Sequence, residues 1–263
     1  MYRYRCIFLI CFIFSSGFSF ANESGEICIR KKIGHRFLIG PETYYAYRHR
    51  EGGTKQDGSL FGGRCVYEYL RRNKFYWAAE GALAQGTLTG KSGNRGKLKS
   101  TLCDRSIETR FGYTFRYKRA CKLILTPFFG VGYLIEENNF KNPSSLHLHF
   151  KTAYRFLTAG FLSNLSIGKH LTAGFNIKIR HMLDPECKIS NDPEFDTISL
   201  KIENDSLQYR LEFPVTYLHH YCSFVATPFY ERRCYGRQAG YPFDFLKTTL
   251  FNYGLTLQVL FSL

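Results

Sequence analysis

Past its first twenty residues the chain has no apolar run that could cross a bilayer as a helix, which needs about 20 residues, so a bundle of membrane helices is excluded. No useful length shows the 3.6-residue apolar repeat of an amphipathic helix, which argues against a helical domain. No linker or low-complexity stretch divides the sequence, and one sizeable domain remains. Acidic residues are few, 21 against 36 Lys and Arg, for a formal charge of +15. Trp occurs once, yet there are 19 Tyr and 25 Phe, a composition weighted to strand formers and to the aromatic girdles of membrane interfaces. The mean hydropathy of −0.24 would by itself mark a water-soluble protein. Membrane barrels escape such averages because their polar and apolar residues alternate.

The first residues read as an export signal. Tyr2, Arg3, Tyr4 and Arg5 make a short basic start, Cys6 to Phe14 an apolar core, and Ser19 and Ala21 supply small residues where a signal peptidase reads. The apolar core is too short to stay as a membrane anchor. The sequence predicts a cleaved signal over 1–21, a short periplasmic segment over 22–33 and one domain over 34–263. Losing Arg3 and Arg5 takes the formal charge from +15 to +13.

The positive signal is alternation. From Leu171 to His181 every second side chain is apolar and the others are small or charged, and the chain repeats this pattern about ten times. Short connections, as at Arg72 to Lys74, alternate with long polar ones, as over His49 to Gly63, along the basic stretch holding Lys91 and Lys99, and over Leu183 to Asp196. Tight turns on one side and long loops on the other are the rhythm of a membrane barrel. Ten strands put both termini on the turn side. The apolar parity switches near Phe156 and Leu157, which predicts a bulge in that overlong strand. Ile198, Leu200 and Ile202 read as a rim extension, not another crossing. Pro127, Pro214 and Pro228 fall inside proposed strands and argue against the pattern, because a closed sheet has no edge where a missing N–H is harmless.

Two segments carry a resemblance. Thr126, Pro127, Phe128, Phe129, Gly130, Val131, Gly132 and Tyr133 look like the proline, aromatic and spaced-glycine strand of small barrels, and Phe251 to Phe261 looks like the terminal strand read by the barrel-assembly machinery. On these the mature chain resembles the Gram-negative outer-membrane β-barrel proteins. The resemblance implies an all-β, closed antiparallel transmembrane barrel of about ten strands (eight or twelve as alternatives), with short periplasmic turns and long extracellular loops. It also implies an outer-membrane address, contact with outer-membrane lipid and lipopolysaccharide, and the assembly machinery as a partner. In the family the terminal strand usually ends on an aromatic residue; here Ser262 and Leu263 follow Phe261.

If the apolar face meets lipid, the polar face becomes a lumen. It would hold Glu42, Arg48, Arg64, Glu68, Glu80, Glu108, Arg110, Arg116, Arg155, Lys178, Arg180, Arg210, Glu212 and Glu231, with Asp104 and Glu136 on the same faces. A barrel this narrow is filled by its side chains, and opposite charges inside it pair. The expected role is structural or surface-interaction, adhesin-like, with a salt-bridged, closed lumen. The alternatives are a narrow solute channel, a rim-sited hydrolase and a secreted lipocalin-like binding barrel with its apolar face inside.

An enzyme would need a constellation at the outer rim, as in the omptin proteases or the lipid A modifying barrels. The candidates are His147 and His149 with Asp184, Glu186, Asp192 and Glu194, and the omptin aspartates and Asp–His pair have no convincing match. His147 and His149 would suit a metal by spacing, but the favoured reading is two lumen-facing polar residues at a rim, and no metal site is expected. His219, His220 and Ser223 read as turn residues. No cofactor is called for. Lys91, Arg95, Lys97 and Lys99 form a basic surface loop fit for lipopolysaccharide phosphates or anionic host glycans, and nucleic acid is not an expected partner. Cys28, Cys65, Cys103, Cys121, Cys187, Cys222 and Cys234 remain in the mature chain, an odd number in an oxidising compartment. The strand map puts Cys65, Cys103, Cys187 and Cys234 near the outer rim and the other three at the periplasmic rim. This content resembles the cysteine-rich envelopes of chlamydia-like bacteria, which implies disulfide-linked envelope partners.

Overall fold

The computed structural model describes residues 34–262 apart from 72, 94–95, 118–122, 145–146, 193–195, 205, 220–221 and 239–244. The expected signal and the segment over 22–33 lie outside the described residues. Fourteen strands follow in order: β1 His35–Arg50, β2 Thr54–Tyr69, β3 Phe75–Lys91, β4 Lys97–Tyr113, β5 Phe115–Tyr117, β6 Leu123–Phe140, β7 His149–Ser166, β8 Leu171–Ala173, β9 Asn176–Asp192, β10 Asp196–Lys201, β11 Gln208–Glu212, β12 Val215–Leu218, β13 Ser223–Tyr235 and β14 Thr248–Ser262. Among the described residues the only helical element is a 3-10 turn at Glu51–Gly53.

All pairings are antiparallel, and a ring of hydrogen bonds passes through ten strands. It runs β1, β2, β3, β4, β6, β7, β9, β11 and β13 to β14, which pairs back onto β1 from Arg36↔Ser262 to Arg50↔Thr248. The short strands lengthen this ring: β5 pairs with β6, β8 bridges β7 and β12, and β12 pairs with β13. β10 pairs with β9 alone, at Glu186 to Asp192, beyond the stretch of β9 that pairs with β11. Both ends of the ring's chain and the short turns share one end, the terminal end; the hairpins share the other.

Two of the expected long links are tight hairpins. Gly52 and Gly53 take φ of +80° and +88°, a left-handed conformation that glycine adopts freely, so the chain reverses over three residues and Thr54 already belongs to β2. The second link shrinks to 92–96 because β3 runs to Lys91 and β4 starts at Lys97. Gly58, Gly62, Gly86 and Gly90 interrupt the apolar alternation and so read as loop, yet they are paired strand residues.

On most strands the even positions point inward and are buried, including Glu42, Tyr44, Ala46 and Arg48 on β1, while odd positions such as Phe61, Ile107, Phe129 and Tyr253 stand outward and exposed. The apolar face is therefore the outer one, opposite to a lipocalin. The expected parity switch in β7 is absent: Phe150, Tyr154, Phe156 and Thr158 all point inward in one register. The irregularity lies on its partner, where Ala153↔Glu186 is followed by Arg155↔Leu183. β9 takes the extra residue at Asp184, held at φ +46° before Pro185, which turns Cys187 and Ile189 inward. Phe156 misled the sequence reading because it is an apolar residue on the polar face.

Pro214 sits in the break between β11 and β12, where its carbonyl accepts from Gly174 N at 2.8 Å and Phe213 N donates to Pro228 O at 3.0 Å. Pro127 and Pro228 lie within β6 and β13. The inward apolar residues gather mainly toward the hairpin end, where Leu88, Leu98, Leu102, Phe140, Phe150, Met182, Ile189, Leu200 and Leu250 form one cluster.

Gly132 shows how tightly the interior is set. A Cβ added there would lie 2.3 Å from Phe156 Cζ, so the missing side chain is the space the Phe156 ring fills. Gly132→Ala is expected to destabilise the fold by about 1–3 kcal/mol, the usual penalty of overpacking. Adding Phe156→Ala should cancel part of that, read as a non-additive double-mutant cycle in urea; strict additivity would contradict the packing account.

Candidate functional site

The inward polar side chains meet in one layer between the apolar cluster and the terminal end. Seven cations, Arg48, Arg64, Arg110, Lys178, Arg180, Arg210 and Arg233, face seven anions, Glu42, Glu80, Asp104, Glu108, Glu136, Glu212 and Glu231, all in one connected set of ion pairs. Glu80 is the hub on one side: Arg64 bonds it, Arg110 Nη2 lies at 2.8 Å and Lys178 Nζ at 3.0 Å. Glu231 is the hub on the other, with Arg180 at 2.8 Å, Arg233 at 3.1 Å and Arg210 at 3.3 Å. Arg210 also reaches Glu42 at 3.3 Å and Glu212 at 2.8 Å, which joins the two halves across the ring.

Neutral groups complete the layer. Thr256 on β14 donates to Glu42 at 2.9 Å, Tyr44 to Asp104 at 2.8 Å, Tyr235 to Glu136 at 2.7 Å, and Tyr154 on β7 to Gln208 at 3.0 Å. Aromatic faces cover the guanidiniums: Phe229 lies 3.7 Å from Arg210 Cζ and Phe156 4.8 Å from Arg180 Cζ. Such cation–π contacts strengthen where water is excluded.

Below the layer a cavity of about 260 Å³ opens at the terminal end, its floor Arg64, Glu80, Arg110, Lys178 and Glu212 and its walls Leu38, Val66, Ile124, Leu162 and Leu260 among hydroxyl and amide groups. Above the layer, toward the hairpin end, the described inward faces carry the apolar cluster. The space between Arg48, Arg50, Gln56 and Phe140 there is about 10 Å³, about one water molecule. Among the described residues the interior is therefore roomier at the terminal end than beside these four residues.

Ten of the charges expected in the lumen, Glu42, Arg48, Arg64, Glu80, Glu108, Arg110, Lys178, Arg180, Arg210 and Glu212, belong to the network, as do Glu231, Asp104 and Glu136. Glu68 is buried but pairs with Arg36 at the terminal rim. One assignment is corrected. Arg155 stands exposed on the outward face, because β7 never switches parity. Arg116, on β5 at the terminal rim, lies opposite Ile124 of the cavity wall, on the inward face, but is only half-buried and joins none of these pairs. Arg233 was not singled out from sequence, since Arg232 beside it offers the same charge on the opposite face; the inward parity of Glu231 is the signal that finds it.

The rim candidates are not brought together. His147 precedes β7, exposed, with Nε2 3.1 Å from Asn142 Oδ1. His149 takes an outward position opposite Asn139 and Ser190, not the lumen-facing one expected. Asp184 lies at the β9 bulge, Glu186 bonds Ser199, Asp192 ends β9, and Glu194 lies outside the described residues. Among the described residues no three His, Cys, Asp or Glu side chains are placed to hold a metal ion. At the terminal end His219 follows β12, Ser223 starts β13, and His220 lies outside the described residues. Lys91, Lys97 and Lys99 are strand residues, not loop residues, and Arg95 lies outside the described residues.

Cys65, Cys103, Cys187, Cys222 and Cys234 are all free, and Cys28 and Cys121 lie outside the described residues. Cys65 belongs near the terminal end, opposite Ile39 and Gly81, and not at the hairpin rim; the early start of β2 moves it there. It shares the outward face with Cys103, but β3 separates their strands, which excludes a bond needing Cα atoms within about 7 Å. Cys187, on the extension of β9 beyond the bulge, is buried, and that burial pushes its thiol up to about 11.

Two outcomes follow. Glu80→Ala leaves Arg64, Arg110 and Lys178 short of a shared anion, so it should cost about 3–5 kcal/mol in urea unfolding, while Arg155→Ala on the outer face should change stability by under about 0.5 kcal/mol. Equal effects of the two would contradict the network. Cys187 and Cys234 should resist maleimide in the folded protein at neutral pH and react after boiling, because each is buried and only the thiolate attacks; rapid labelling of both while folded would contradict their placement.

No protein-family model and no curated protein matches the chain. Solved structures do. The outer membrane protease OmpT from Escherichia coli is similar with a TM-score of 0.58 at 10% identity, over 88% of this chain and 96% of that one. The translocator domain of the autotransporter NalP from Neisseria meningitidis gives 0.51 at 10% identity, over 89% and 90%. At such identities the likeness is one of fold: the all-β ring of this chain has bacterial outer-membrane β-barrel proteins as its structural neighbours.

Proposed function

We propose that the chain is an integral outer-membrane β-barrel, closed to solutes, with a structural or surface-interaction role and no catalytic activity. The observation that carries this reading is the pair of blocks in series inside the ring. A neutral charge layer lies across the middle and an apolar cluster lies across the hairpin end. Ions would have to pass both, and neither offers a continuous row of unpaired charge of the kind that filters solutes.

The outer face supports the membrane address. Apolar side chains that water would not tolerate in such number stand exposed around the ring, among them Phe61 at 67%, Phe129 at 66% and Ile107 at 61%. Aromatic rings mark two levels. Phe75, Tyr113, Phe115 and Tyr217 lie toward the terminal end, and Tyr45, Tyr209, Tyr230 and Tyr253 lie higher, with Tyr230 5.1 Å from Tyr253 and 5.8 Å from Tyr209. Girdles at two heights with an apolar band between them are the outer surface of a membrane barrel. Strands of 16 to 18 residues exceed the 9–11 that cross a bilayer, so their hairpin halves would stand outside it. The solute channel is the second reading, and the terminal cavity is the feature that favours it.

Two measurements decide. The purified chain should migrate faster unboiled than boiled and fractionate with the outer membrane; a soluble species insensitive to heat would contradict the barrel. In planar bilayers it should pass no steady current, whereas an ion-selective conductance abolished by replacing Arg110 or Glu108 would establish the channel instead.

A further inference from the structure

The charge layer balances, but one more guanidinium lies above it on the inward side. Arg50 ends β1 with Cζ 5.0 Å from the centre of the Phe150 ring and 5.2 Å from that of Phe245. Its Nε donates to Thr248 Oγ1 at 3.3 Å, and among the described residues no carboxylate pairs with it. The seven cations and seven anions of the layer, with Arg50 added, give eight against seven. A guanidinium keeps its charge at any ordinary pH, so losing a proton cannot remove the excess.

Arg48, two residues back on the same face, makes the shortage of negative charge local. Its Nη1 is buried without a hydrogen-bond partner, and its one ion pair, with Glu136 Oε1, is 3.4 Å long. Glu136 is not free to serve it, since it also accepts from Tyr235 at 2.7 Å and lies 3.8 Å from Arg233. The register sets Arg48 opposite Gln56 and Arg50 opposite Thr54, and Asn138 and Phe140 reach the same place from β6 across the ring. Together these six residues enclose about 10 Å³, the room of about one water molecule. Gln56 is held by its bond to Ser100 at 2.9 Å, whereas Asn138 Oδ1 is buried with no partner. With its amide turned over, Asn138 offers this space two more N–H donors.

We infer that Arg48, Arg50 and Asn138 form a binding site for one monatomic halide ion, chloride being the common one. A water molecule would take up a hydrogen bond but leave the excess charge, and an unpaired charge away from solvent is penalised. An oxyanion such as phosphate or sulfate is too large for the space. Arg50 is only half-buried, so an ion enters past it from the hairpin side. The bound halide completes the charge balance of the interior and ties β1 and β2 to β6, which are not neighbours in the sheet.

The test follows urea unfolding of the full chain by the fluorescence of its single Trp, Trp77, in sodium chloride, sodium bromide and sodium gluconate at one ionic strength. A site filled only in the folded state raises the folded-to-unfolded ratio about tenfold when free halide is ten times its Kd. Chloride and bromide should give that rise and gluconate should not. Asn138→Asp supplies a fixed carboxylate in place of the ion, so the variant should lose the halide response and be as stable in gluconate as in chloride. The chloride-35 resonance read directly should broaden with the folded wild type, sharpen when bromide competes, and stay narrow with N138D and with R50Q, which removes the excess charge. No halide response in the wild type overturns the site in favour of water alone, and an equal response to gluconate overturns it in favour of screening. A wild-type response kept by N138D, or broadening kept by R50Q should N138D fail to fold, places the ion elsewhere and overturns it as well. Heat-insensitive migration would end the membrane reading without touching this site, because the halide lies inside the ring whatever surrounds it.

Discussion

Charge inside a narrow ring has to find its opposite, and the rest of this structure is arranged around that requirement. An isolated buried ion is penalised by several kcal/mol, so each of the seven inward cations is met by carboxylates from other strands, and the layer is neutral as a whole. The partners are shared: Glu80 and Glu231 each serve three cations. Sharing fixes the relative heights of β1, β2, β3, β4, β9, β11 and β13, because a slip of two residues in any one would move its charges out of reach of the hubs. Backbone pairing holds neighbours together, while the charge layer holds opposite walls together.

The layer also divides the interior. Toward the hairpins the inward faces turn apolar, so that Leu102, Phe150, Met182 and Leu200 pack as in a soluble core. Toward the termini the walls carry Ser, Thr and Asn among leucines and leave room. The molecule is thus a ring with a polar, roomier interior in its lower half and a packed β-structure in its upper half. The β9 bulge at Asp184 and Pro185 belongs to that transition, since it rotates the strand's faces so that Cys187 and Ile189 join the packed half.

Strand parity and the polar face were legible because the period of two leaves little freedom once one side is apolar; Glu42, Arg64, Glu80, Arg180 and Arg210 follow from it directly. The misplacements have a common cause. Where the inward face carries Gly or an apolar residue, both faces look alike, and the period vanishes. Gly58 and Gly62 turned the start of β2 into an apparent loop, and Phe156 turned a regular β7 into an apparent switch that carried Arg155 inward. The apolar upper core was invisible for the same reason. Which charges meet could not be read at all, since strand tilt, and not sequence spacing, sets Glu42 beside Arg210.

That last pair has a consequence for how the ring comes into being. Glu42 meets Arg64 on the next strand, but Arg210 lies 168 residues away and Thr256 214, so the first strand's carboxylate completes its set of partners only after nearly the whole chain has been made. An open sheet of the early strands would present Glu42, Arg64 and Glu80 on one face and aromatic residues on the other, stable neither in water nor in lipid. Closure and completion of the Glu42 contacts therefore come together, and an intermediate short of β14 has no seam to close.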